Sequence, residues 1–239
     1  MEVLETKIKA AAEAYMRERP AERVFSLEVD GEKYWVKRKL GNGRKQLVKY
    51  SVEKEFFYEI ARMTIAARNC PELVPDMVVL TPDYMVTRDG GLTVKAWLDA
   101  DISEEEKEIL LEKAGASLAC LHEKDIVHGR PALRDITWNG ERMAFLDWEN
   151  RMYAKSREEQ KAIDFILMLQ GIGRENYKEE KERMAAVLRG YTECGGAAVV
   201  QGAKDFLKRH AFVGMVTEKL APFKMKDVES VRKIYEFLK

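Results

Sequence analysis

Two aspartates, Asp135 and Asp147, stand on either side of a segment that reads as a tight hairpin. Ile136-Thr137-Trp138 and Met143-Ala144-Phe145-Leu146 are short apolar runs suited to strands. Asn139-Gly140 between them is a dipeptide favoured in type I′ turns, where both central residues need positive φ. Antiparallel pairing brings the entrance and the exit of such a hairpin to the same end, so Asp135 and Asp147 are expected side by side. Two carboxylates brought together repel unless a cation or an arginine neutralises them, which points to a divalent-metal site with oxygen donors. The residues leading into the hairpin, Val127-His128-Gly129-Arg130-Pro131, put His128 and Arg130 next to that site.

The rest of the chain gives this hairpin a setting. Residues 2–18 read as a helix with Leu4, Ile8, Ala11, Ala12 and Tyr15 on one face and Pro20 as its stop. Arg23–Val29 and Lys33–Lys39 alternate as strands do, and Asp30-Gly31 joins them as a β-hairpin. Leu40–Lys45 reads as a loop. A helix beginning at Ser51 carries Val52, Phe56, Phe57, Ile60 and Met63, and two short strands follow at 76–80 and 84–88. Asp89-Gly90-Gly91 then marks a change of character. Residues 1–88 are expected to form a small sheet-bearing unit with one long helix, and residues 89–239 a mainly helical unit that contains the 135–147 hairpin. Ser103 to Glu106 has the capping-box pattern and opens a helix running to His122; further helices are expected near 157–171, 175–191, 197–212 and 226–238. The fold class is α+β.

Composition excludes several roles. The 239 residues suffice for a sizeable core. Lys plus Arg and Asp plus Glu number 41 each, so no charge excess advertises a nucleic acid, while peripheral membrane contact through a local patch stays open. No apolar run approaches the roughly 20 residues of a membrane helix, and the first residues lack the apolar stretch of a signal peptide, so a cytoplasmic location is expected. Cys70, Cys120 and Cys194 are odd in number and without C-x-x-C spacing. They are expected to be reduced and packed, with neither a disulfide framework nor a zinc site.

Lys37 closes the hydrophobic-aromatic strand Tyr34-Trp35-Val36-Lys37, where an ammonium can meet phosphate if a carboxylate fixes its position. Glu53, Glu55 and Glu59 on the following helix compete for that role. Glu55 is preferred because Phe56 and Phe57 beside it suggest a face turning into the core.

Taken in order, Lys37, Glu55, Asp89-Gly90-Gly91, the capped helix, Leu121-His122, Val127-His128-Gly129, Asp147-Trp148-Glu149 and Ala162-Ile163-Asp164 resemble the protein-kinase-like superfamily. The chain is most similar to its small bacterial branch, which includes lipopolysaccharide core sugar (Kdo or heptose) kinases and aminoglycoside or choline phosphotransferases. The resemblance implies a bilobal fold and transfer of phosphate from ATP, with Mg²⁺, to a hydroxyl of a small-molecule or glycolipid acceptor such as a lipopolysaccharide core sugar. It also implies that Lys37 and Glu55 serve the nucleotide phosphates and that Asp135 and Asp147 hold Mg²⁺. In the catalytic loop it groups Asp135, Arg130 and His128, the histidine mostly as a hydrogen-bonder, and has Asp164 brace that loop. Three departures stand out. No Gly-x-Gly-x-x-Gly precedes Lys37, Asp135 replaces the usual asparagine, and Arg130 occupies the position of the catalytic aspartate. A guanidinium stays protonated and accepts no hydrogen bond, so Arg130 is no base. Either Asp135 takes that role, or the acceptor hydroxyl is only positioned, with Arg130 able in both cases to stabilise phosphoryl oxygens, or the chain is a pseudokinase that binds a nucleotide or a partner.

Overall fold

Asp30 and Gly31 both adopt left-handed backbone, with φ of 52° and 81°, and turn the chain in the two residues that a type I′ hairpin allows. The hairpin joins β1 (Val24–Val29) to β2 (Glu32–Arg38). With β3 (Met77–Leu80) and β4 (Tyr84–Arg88) they make an antiparallel sheet in the order β1-β2-β4-β3. This computed structural model describes residues 2–40, 52–154, 156–175, 177–214 and 225–239. Residues 41–45 of the expected loop, the expected helix start at Ser51 and residue 176 lie outside the described residues.

Alternation along the strands gives the sheet two different faces. Phe25, Tyr34, Val36 and Val86 pack with Ile8 and Ala12 of α1 (Glu2–Glu18) in one hydrophobic cluster, and Tyr15 stacks on Phe25 with ring centres 4.1 Å apart. Burying each of the larger side chains stabilises by about 1.5–3 kcal/mol. Met85 faces the other way, into a larger cluster that contains Phe56, Ile60 and Met63 of α2 (Val52–Asn69). That cluster continues without a break into the helices beyond residue 89.

Those helices are α3 (Val94–Leu98), α4 (Glu104–Glu123), α5 (Arg157–Gly173), α6 (Glu180–Tyr191), α7 (Ala197–Arg209) and α8 (Lys226–Leu238). At the start of α4 the Ser103 hydroxyl accepts from Glu106 N–H while the Glu106 carboxylate accepts from Ser103 N–H, so the capping box forms in full. Gly115 of α4 and Gly190 of α6 let these helices meet backbone to backbone, because a Cβ on either would collide with a carbonyl of the other helix. The sequence reading missed α3, and it missed β5 (Leu92–Thr93), which pairs with β6 (Ile136–Trp138) and so extends the second hairpin to three strands with β7 (Met143–Phe145). No helix among the described residues is long and apolar enough to cross a membrane.

The β6–β7 turn differs from the type I′ expectation. Trp138 pairs with Met143, which leaves residues 139–142 in the loop, and there only Gly140 has positive φ. The Asn139 side chain takes over the turn instead, its Oδ1 accepting from Glu141 N–H at 3.0 Å and Arg142 N–H at 2.9 Å. The longer turn leaves the base of the hairpin intact. Leu146 N–H donates to the Asp135 carbonyl at 2.7 Å, so Asp135 and the residue before Asp147 still face each other.

Candidate functional site

Lys37 stands between Val24 and Met85 in the sheet ladder, and its side chain turns away from α1 toward α2. Its ammonium lies 2.7 Å from Glu59 Oε1, 2.8 Å from Asp147 Oδ1 and 3.3 Å from Glu149 Oε2. Burial, with Lys37 8% exposed, works against the charge, but Glu59, Asp147 and Glu149 outweigh it and hold the lysine pKa above its ordinary value. Burial likewise opposes ionisation of Asp147 and Glu149. Lys37 overcomes this for Asp147, and Lys37 with Arg23 overcomes it for Glu149, so both carboxyls lie below their usual range. Glu59, 1% exposed, is the exception; burial there pushes the carboxyl up against the pull of Lys37.

The partner of Lys37 is therefore Glu59 and not the expected Glu55. The buried residues of α2 are Phe56, Glu59, Ile60, Met63 and Ala66, spaced by threes and fours as one helical face requires. Glu59 shares that face with Phe56. Glu55 is one position before Phe56, about 100° around the helix, and only half-buried, while Phe57 is 44% exposed. Adjacency to an aromatic was the wrong signal, and spacing from one was the right signal.

Asp135 is 4% exposed, and burial together with the charge of Asp147 pushes its carboxyl up to about 6. Arg130 at 3.4 Å and Arg134 at 3.6 Å only partly offset this. Asp147 has φ of 57°, a left-handed conformation that costs a non-glycine residue about 1–2 kcal/mol. The charge of Asp147 raises the cost of ionising Asp135 while Lys37 neutralises Asp147, and two such carboxylates, one of them on strained backbone, are the donors that could hold a hard divalent cation. Oxygen donors of this kind suit Mg²⁺ better than a soft metal.

Behind these carboxylates the chain is braced from two sides. Asp164 of α5, fully buried, accepts from His128 N–H at 2.6 Å and Gly129 N–H at 2.7 Å, and its Oδ2 also meets His122 Nε2 at 3.1 Å. Since a carboxylate only accepts, His122 Nε2–H donates to Asp164, and the other ring nitrogen, Nδ1, meets the Tyr191 hydroxyl. His128 is sealed from solvent beside Phe145 and Trp148, and its Nε2–H donates to Leu146 carbonyl at 2.7 Å. Its place among the candidate catalytic residues is corrected accordingly: it joins the two loops and does not reach the cleft wall. Gly129, with φ of 95°, fits where a Cβ would come 2.5 Å from the Asn150 carbonyl.

The second brace, Arg62 of α2, was missed. Its guanidinium donates to the carbonyls of Trp148 at 2.9 Å, Asn150 at 2.6 Å and His128 at 3.0 Å, and also to that of Val127. One side chain thus fixes the loop before Asp135 and the loop after Asp147. Its spacing of three from Glu59, on a helix already expected to serve the site, was the available signal.

A cleft of about 340 Å³ opens between the first sheet and the second hairpin. Lys37, Glu59 and Asp147 form part of its wall, and Val24, Met85 and Leu146 supply apolar surface. Arg23 lines the cleft too, bonded to Glu149 at 2.8 Å. A smaller recess of about 90 Å³, lined by Arg130, Arg134, Gln170 and Arg174, shares none of these residues. Of the expected site residues the structure brings Lys37 to Asp147 and sets Asp135 within reach of the Asp147 charge, while Arg23 and Arg62 had been assigned no role.

No family model matches the chain. It is 31% identical over 219 residues to an uncharacterized protein of Haemophilus influenzae, an alignment that covers 90% of this chain and 89% of that protein. At that identity and coverage the chain belongs to the same family as the Haemophilus influenzae protein.

Proposed function

We propose that the protein is a cytoplasmic phosphotransferase of bilobal, kinase-like arrangement that moves a phosphoryl group from ATP, with Mg²⁺, to an acceptor hydroxyl. The observation that carries this reading is the buried ion pair of Lys37 with Glu59 at the wall of a 340 Å³ cleft, joined by Asp147 at the exit of the hairpin and with Asp135 at its entrance. Phosphoryl transfer depends mainly on positioning and charge stabilisation, and these are the groups it needs. Lys37, held cationic by its carboxylates, meets the nucleotide phosphates; Arg23, on the same cleft wall and paired with Glu149, adds a second positive charge beside it. Asp135 and Asp147 are the residues that would hold Mg²⁺, which when bound neutralises charge on the phosphoryl oxygens. The apolar wall of Val24, Met85 and Leu146 suits a flat base. Asp135, with a carboxyl near 6, is the group able to take the acceptor proton, and the acceptor class implied by the resemblance is a lipopolysaccharide core sugar.

One observation favours a second reading. The Arg130 guanidinium lies 3.4 Å from Asp135, occupying the carboxylate that would act as base. In that reading the chain binds Mg-ATP, or a partner, without transferring phosphate. Titrating ATP calorimetrically with Mg²⁺ and again with a chelator, followed by an acceptor screen, separates the outcomes. Mg²⁺-dependent binding lost in Asp147→Asn, with acceptor-dependent turnover, supports the phosphotransferase. Binding without turnover on any acceptor supports the second reading, and no binding in either condition removes the nucleotide from both.

A further inference from the structure

Where α2 ends, three metal-binding side chains from separate parts of the chain converge. Cys70 follows the last residue of α2 and is fully buried, Glu72 sits in the short 3-10 turn Pro71–Leu73, and Cys120 lies in the last turn of α4. Their two sulfurs and a Glu72 carboxylate oxygen lie within 4.8 Å of one another. In a tetrahedral zinc site, with Zn–S near 2.3 Å and Zn–O near 2.0 Å, neighbouring donor atoms are about 3.5–3.8 Å apart. The three donors are thus at most about 1.3 Å from ligating distance, a movement that side-chain rotation can supply.

Other uses of this group fit the surroundings less well. Both cysteines are free thiols. Burial raises the Cys70 thiol to about 11 and raises Cys120 as well, and the charge of Glu72 adds to both, with Glu123 and Lys124 of the α4 end also facing the group. Cys70 is sealed from solvent at the helix junction, so it presents no surface to a substrate or to an exchange partner and, without a metal, stays a thiol. A bound cation reverses that situation, because a coordinating thiol is deprotonated by the metal and the nearby carboxylate becomes a ligand. Two sulfurs also separate this group chemically from the Asp135 and Asp147 oxygens. The expectation that the cysteines take no part in a metal site came from their spacing in sequence, which hides the contact between residues 70 and 120.

We propose that Cys70, Cys120 and Glu72 bind one thiophilic divalent cation of the zinc class, with water in the fourth position, and so tie the end of α2 to the last turn of α4. The site stands independently of the phosphotransferase reading. The bound cation anchors the helix that carries Glu59 and Arg62, so its role is structural.

The test uses the full chain, reduced and stripped of metal with a chelator, then titrated with Cd²⁺ or Zn²⁺ alone. One cation is taken up per chain, with a thiolate-to-cadmium absorption in the ultraviolet and a rise in melting temperature. Cys120→Ser abolishes the absorption, Glu72→Gln weakens binding about tenfold or more, and Cys194→Ser changes nothing. Cys70→Ser is expected to act like Cys120→Ser; since Cys70 is buried, the half-buried Cys120 keeps the test decisive if that variant misfolds. Uptake that survives Cys120→Ser overturns the proposal, and so does the absence of stoichiometric uptake. Mild oxidation that removes two thiols and two hydrogens from a chain with no metal affinity overturns it in favour of a disulfide.

Discussion

Replacing Lys37 with methionine removes the ammonium shared by Glu59, Asp147 and Glu149 while keeping most of the side-chain volume. At 2.7 Å and an effective dielectric of about 20, the attraction between Lys37 and Glu59 is about 6 kcal/mol. Much of that offsets the desolvation of both groups, so the experiment reads chiefly the cost of leaving Glu59 without a partner, about 3–5 kcal/mol for a buried pair. Glu59 is 1% exposed, and solvent screening does not reduce this figure. The loss depends on pH. Without Lys37 the folded carboxyl of Glu59 rises further above its unfolded value, so it is protonated and harmless at low pH, and stability falls as pH climbs from the unfolded value toward the raised one. Urea unfolding followed by the fluorescence of buried Trp148 should show a small deficit at about pH 5 and the full deficit at about pH 8. Adding Glu59→Leu replaces both charges with apolar groups and should restore most of the stability, whereas adding Glu55→Gln should be merely additive. An equal deficit at both pH values with no recovery in the Glu59 double variant refutes the assigned pair, and recovery through Glu55 moves the pair to that residue.

Three further outcomes follow from the same contacts. Arg62→Gln loses a charged donor to four carbonyls and should destabilise by about 2–3 kcal/mol, with faster amide exchange confined first to residues 127–129 and 147–150; uniform exchange across the chain would contradict the clamp. Asp164→Asn keeps one carbonyl for the His128 and Gly129 amides but sets an NH₂ group against donors, and a loss of about 3 kcal/mol in denaturant midpoints is expected; a loss under about 0.5 would refute the hub. Asp135, raised from an ordinary 3.8 to about 6, favours the folded state when protonated, and that contribution is lost as pH rises across this window. Asp135→Asn should therefore stabilise the metal-free protein by about 2–3 kcal/mol at neutral pH while removing Mg²⁺ binding, and in the parent protein Mg²⁺ affinity should weaken as pH falls through 6. Calorimetric titrations at several pH values check the last point.

What was legible in the sequence was what neighbouring residues decide among themselves. Asp30-Gly31 dictates its turn because few dipeptides accept two positive φ angles, and Ser103 with Glu106 completes a cap within one helical turn. The meeting of Asp135 and Asp147 was legible because a hairpin fixes the separation of its own ends, and it survived an error in turn type: whether Asn139 acts through its backbone or its side chain, β6 and β7 start and stop at the same end. Partners chosen by packing between distant elements were illegible. Glu59 and Glu55 differ only in which face of α2 meets the sheet, Arg62 finds carbonyls far along the chain, and Cys70 meets Cys120 across a helix junction. Composition gives no hint of these, because each depends on how elements distant in the sequence pack against one another. The short α3 escaped notice because it is a single capped turn or so, held by Thr93 accepting from Ala96 N–H and by the β5–β6 pairing beside it.

The position of α2 decides whether the candidate site exists at all. Glu59 reaches forward to Lys37 on the first sheet, and Arg62, one turn further along the same face, reaches back to the loops that carry His128 and Asp147. A displacement of this helix by a few ångströms would break the Lys37 ion pair and the carbonyl clamp together, since both hang on residues three apart in a rigid element. Asp147 would then lose the loop that holds its left-handed backbone, and Lys37 one of the carboxylates that position its ammonium. The cation over the cleft and the carboxylates at the hairpin are therefore assembled in one step, and any contact that fixes either end of α2 governs both.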